Sequence, residues 1–96
     1  MVDPKFAKKV LKALEEAYFE VLARNPAMVY QTLNDLLPRV NEILKSWGYR
    51  ELSLKELEEV VDFLHDKMKY WLKGFIRHPK ASGMPVIIEF RRRLFG

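Results

Sequence analysis

The chain has no cysteine, a single glutamine at Gln31, and four glycines scattered at 48, 74, 83 and 96. Without cysteine there is no disulfide framework and no thiolate metal site, and a reducing compartment suits the composition. Without a glycine cluster opening a helix there is no phosphate-cradling loop. No apolar run approaches the roughly 18–20 residues of a membrane span. Nothing behind Met1-Val2-Asp3-Pro4-Lys5 reads as the apolar core of a secretion signal, so a cytoplasmic setting is expected and a membrane is not. Serine is sparse, and Ser53 and Ser82-Gly83 read as cap and turn chemistry rather than as nucleophiles, so an enzyme is not expected. The excess of lysine, glutamate and arginine over the lone glutamine points toward a thermophilic source.

What remains is globular in balance: 96 residues, 49% apolar and 31% charged, with a net charge of +4. That length suits one domain spanning 1–96. The charge is unevenly spread. Residues 51–62 hold Glu51, Glu56, Glu58, Glu59 and Asp62 against Lys55, whereas residues 63–96 hold eight lysines and arginines against Asp66 and Glu89. An acidic patch is thus followed by a basic end.

Apolar periodicity predicts an all-α fold: a small bundle of three long helices with a short C-terminal helix or strand. Helix 1 is expected over 4–24, opened by Asp3-Pro4, striped by Ala7, Leu11, Leu14 and Tyr18, and closed at Asn25-Pro26. Lys8, Lys9, Lys12, Glu15, Glu16 and Glu20 are expected on its outer face. Helix 2 is expected over 26–47, kinked at Pro38 because the stripe Val29, Leu33, Leu36, Val40, Ile43, Trp47 keeps its phase across the proline. Helix 3 is expected over 53–77, opened by the capping box Ser53-Leu54-Lys55-Glu56. Its seam Leu54, Leu57, Val61, Leu64, Met68, Trp71, Phe75 steps in threes and fours. The basic C-terminal segment 85–95 reads both ways, with Val86, Ile87, Phe90 and Leu94 on a helix face and alternation at 86, 88 and 90 fitting a strand. A short helix is preferred, since a strand in an all-helical domain has no partner except another chain.

Candidate chemistry is thin. Asp62-x-x-His65 has the spacing of two metal ligands on one helix face, but a di-metal bundle needs two such motifs. A solvated pair is the better reading, and no metal or cofactor is expected. A DNA-reading helix-turn-helix across Gly48 would point Glu56, Glu58, Glu59 and Asp62 at phosphates, which repel them. Lys69, Lys73 and Arg77 recur every four residues, and with Lys80, Arg91, Arg92 and Arg93 they form a candidate polyanion-binding patch. Large apolar side chains exceed what three helices bury easily, and Phe63, Tyr70, Val86, Ile88 and Phe90 are the candidate partner interface. The expectation is a non-enzymatic protein–protein interaction module that self-associates, an adaptor, regulator or assembly subunit. Nucleic-acid or other polyanion binding is the alternative.

Overall fold

The computed structural model describes residues 2–78 and 81–91. Its elements run α1 (Pro4–Arg24), β1 (Gln31–Thr32), α2 (Leu33–Ser46), α3 (Leu54–Asp66), a short 3-10 turn (Tyr70–Lys73), β2 (Phe75–Arg77) and β3 (Ile87–Phe90). The strands form an antiparallel sheet in the order β1-β3-β2. The all-α expectation is therefore corrected: the fold is α+β, three helices packed with a three-stranded sheet.

Local chemistry sets the helix limits. Asp3 accepts the Lys5 N–H and Pro4 occupies the first turn of α1, which stops at Asn25 before Pro26. Helix 2 was expected from residue 26, yet residues 27–32 are held out of the helix. Tyr18 donates its hydroxyl to the Val29 carbonyl at 2.6 Å, and Gln31 Nε2 donates to the carbonyls of Tyr18 and Met28. The two bonds to Tyr18 tether this stretch to α1, and the chain runs on into β1. The helix then starts at Leu33, capped by the Thr32 hydroxyl on the Asp35 N–H, and continues through Pro38 to Ser46.

Helix 3 opens as its capping box requires but ends at Asp66, eleven residues short of the expected 77. Lys69 takes a left-handed backbone, φ 55° and ψ 40°, and Gly74 does the same at φ 99°. Between them lies the 3-10 turn. That break swings Phe75 into the core and lays Phe75–Arg77 along β3 as a strand. Phe75 pairs with Phe90, Ile76 with Glu89 and Arg77 with Ile88.

The C-terminal segment is corrected from helix to strand on the same grounds. β3 finds its partners within its own chain, in β1 and β2, both of which lay hidden inside the expected helices. It is the central strand, and Val86, Ile88 and Phe90 are buried with α1 and α3 side chains. The Phe90 ring lies 5.0 Å from Phe75 and 5.1 Å from Tyr18, centroid to centroid, an aromatic cluster joining sheet to α1.

Candidate functional site

An open cleft of about 1150 Å³ lies between the first half of α1 and the connection from α2 into α3. Its basic wall follows from helix geometry. Lys5, Lys8, Lys9 and Lys12 recur at three- and four-residue steps, so they share one exposed side of α1 and line the cleft. None of the four forms an ion pair with another described residue.

The floor comes from a helix stop. After Trp47, Gly48 adopts φ 84° and the chain reverses, with Gly48 N donating to Lys45 O and Tyr49 N to Leu44 O. This paired bonding at a left-handed glycine is a Schellman end. It returns Tyr49 to α1, where its ring packs on Phe6 at 5.8 Å between centroids. Arg50 follows and lies over the Phe6 ring at 5.5 Å while binding Glu56 at 2.8 Å. Glu56 is thereby occupied twice, accepting the Ser53 N–H on one oxygen and Arg50 on the other. The Ser53 backbone bond, and then Arg50, hold its carboxyl below the usual glutamate range. Asn41 pins the connection from behind by exchanging two hydrogen bonds with the Leu52 backbone.

The sequence-predicted polyanion patch is not assembled on a helix face. Since α3 stops at Asp66, Lys69, Lys73 and Arg77 sit on a left-handed residue, the 3-10 turn and β2. The Lys73 ammonium lies 5.4 Å from the Tyr70 ring centroid. Arg77 Nε binds Asp62 at 2.7 Å, and Arg91 Nε binds Glu89 at 3.2 Å. Lys80, Arg92 and Arg93 lie outside the described residues.

Of the sequence-predicted partner interface, Val86, Ile88 and Phe90 belong to the chain's own core, at 1%, 0% and 4% exposure. Phe63 and Tyr70 are half-buried against that core. The surplus apolar surface lies elsewhere. Trp71 and Leu72 are 45% and 61% exposed on the 3-10 turn, and Tyr30 and Met84 are also exposed.

The Asp62-x-x-His65 pair is divided between other partners. Asp62 holds Arg77, and His65 Nδ1 lies 2.9 Å from Asp66 Oδ1. Among the described residues no group of three or more histidines and carboxylates is placed to hold a metal ion. No described helix is long and apolar enough to cross a membrane.

The α1 lysine ridge was visible in the sequence as a stripe following a capped start, but it read as a solvated face. Gly48 signals the stop of helix 2 in the sequence, but not that the chain after it returns Tyr49 and Arg50 onto Phe6. Comparison with known proteins finds no matching family model, no similar curated protein and no similar solved structure.

Proposed function

We propose that the chain is a non-enzymatic protein–protein interaction module that self-associates through the turn at Tyr70–Lys73. The observation that carries this reading is the exposure of Trp71 and Leu72 on a turn bounded by left-handed Lys69 and Gly74. A left-handed lysine costs about 1–2 kcal/mol, and such strain concentrates where a particular side-chain presentation is useful. Tryptophan is enriched among the residues that dominate interface energetics. The cysteine-free composition supports a reducing, cytoplasmic setting.

Surface charge weighs against a nucleic-acid reading. α2 and α3 follow one another as in a helix-turn-helix, with a hairpin after them, but α3 carries Glu56, Glu58, Glu59, Asp62 and Asp66 against Lys55, and even with Glu56 and Asp62 matched by Arg50 and Arg77 no net positive charge is left there to hold phosphates. Two of the basic residues that motivated the alternative, Arg77 and Arg91, are already ion-paired.

Sedimentation velocity over a range of micromolar concentrations tests the reading. A reversible dimer in the native chain that is lost in Leu72→Glu supports it. A strict monomer, or a dimer indifferent to that substitution, refutes self-association through this turn.

A further inference from the structure

The cleft beside α1 has a chemistry of its own. We propose that it is a docking groove for an acidic amphipathic helical segment of a partner protein. This rests on the reading of the chain as a protein-interaction module, but it concerns a surface separate from the Trp71–Leu72 turn.

Charge accounting is the first argument. Three carboxylates line the cleft against five cationic side chains. Glu56 is occupied on both oxygens by the capping box and Arg50, and Asp3 caps the start of α1. Arg50 is matched by Glu56. Lys5, Lys8, Lys9 and Lys12 are left with Glu59 as the one lining carboxylate not engaged in these contacts. The uncompensated charge is positive and confined to the α1 wall, so the occupant carries negative charge on the flank facing α1.

Shape and spacing are the second. The lysines recur once per turn of a helix, about 5.4 Å along its axis. A second helix laid along α1 presents glutamates or aspartates at the same interval from its own i, i+4 positions. Below the lysines lie Val2, Phe6 and Tyr49, a half-buried apolar floor that accepts the aliphatic side of such a helix. This is recognition of a helix in a groove, with apolar anchors below and charge at the rim.

The third argument separates a peptide from a nucleic acid. Single strands are held by bases stacking on open aromatic faces. Here Arg50 already lies over the Phe6 ring, where a base would stack, while the half-buried Val2 and Tyr49 still offer apolar surface to a helix. The chain's own acidic stretch does not serve as the ligand either, because Leu57, Val60 and Val61 commit α3 to the core.

Fluorescence anisotropy with the full chain tests the proposal. The probe is a labelled synthetic helix with leucines at i, i+3, i+4 and i+7 and glutamates between them. Controls are the same residues scrambled, a lysine-for-glutamate version and a labelled oligothymidylate. Saturable binding to the first probe is expected, weakened by salt and by roughly tenfold or more in Lys8→Glu/Lys12→Glu, where two rim charges are reversed. Lys8→Arg/Lys12→Arg is expected to retain it, and circular dichroism checks that both variants keep the native helix content. The proposal is overturned by no binding up to about 1 mM probe, a concentration beyond which affinity is weaker than about −4 kcal/mol. Equal binding of the scrambled peptide, or binding unchanged in the charge-reversed variant, overturns it too. Preference for oligothymidylate, lost in the same variant, would reassign the ridge to nucleic acid. Loss of the Trp71–Leu72 dimer leaves these outcomes unchanged, so failure of one surface is distinguishable from failure of the other.

Discussion

Asn41 and Leu52 bind each other through two hydrogen bonds, Asn41 Nδ2 donating to Leu52 O at 2.9 Å and Leu52 N donating to Asn41 Oδ1 at 2.8 Å. A side-chain amide thus satisfies both backbone groups of a loop residue, as a neighbouring strand would. It fixes the α2–α3 connection that shapes the cleft. Asn41→Ala is expected to leave both Leu52 groups without these partners and to lower stability by about 1–3 kcal/mol. Asn41→Asp keeps the acceptor and loses the donor, so its cost is expected to be intermediate at acid pH, where the protonated carboxyl can donate again. Urea denaturation of the variants at two pH values reads both effects.

Placement of β3 in the core leads to a second expectation. Ile88→Ala removes a fully buried side chain between β1 and β2, at a cost of about 2–5 kcal/mol. The loss is expected to be independent of protein concentration in denaturant melts. Were Ile88 an interface residue, the loss would vary with concentration.

Gly74 sits at φ 99°, where an L side chain is strained. Gly74→Ala is expected to cost about 1–2 kcal/mol. D-alanine introduced there by chemical synthesis is expected to restore stability, because the left-handed region is its natural conformation. Calorimetry of the two forms checks the difference.

The Tyr18 hydroxyl is raised above its ordinary value, chiefly by burial and with a contribution from the charge of Glu89. Below the unfolded tyrosine value of about 10 both states keep the proton and the contribution to stability is complete. Above it the unfolded chain ionises first, so stability falls as pH rises toward the folded value. Tyr18→Phe is expected to remove that part of the alkaline slope and, by losing the bond to Val29 O, to cost about 1 kcal/mol at neutral pH. Thermal melts of both proteins between neutral and strongly alkaline pH separate the two effects.

Helix starts are legible in the sequence where the chemistry is local. Asp3-Pro4 opens α1, and Ser53 with Glu56 opens α3, each by bonds within three residues. Thr32-x-x-Asp35 carried the same kind of signal for α2 but was masked by a hydrophobic stripe running through Val29 in phase. β3 was half legible, since the alternation at 86, 88 and 90 fitted a strand as well as a helix, but β1 and β2 were not, because each depends on pairing over long separations. Gln31 is extended by contacts to Tyr18 and Met28 and by pairing with Ile88, and Phe75 by pairing with Phe90. The heptad seam of α3 continued on paper through Trp71 and Phe75. No helix breaker stands between Asp66 and Gly74, and Lys69 has no residue-type preference for its left-handed backbone. The cleft shows the opposite failure. Its lysines were plain in the sequence, and what makes them a wall is the return of Tyr49 and Arg50, set by the turn at Gly48.

The amide spectrum of the uniformly labelled chain, followed by NMR during serial dilution from a millimolar stock, tests the proposed interaction surface most directly. Shift changes confined to Lys69–Gly74 and the residues packed against that turn are expected, and they are expected to vanish in Leu72→Glu. A spectrum invariant with concentration, or shifts centred on another surface, would contradict the account.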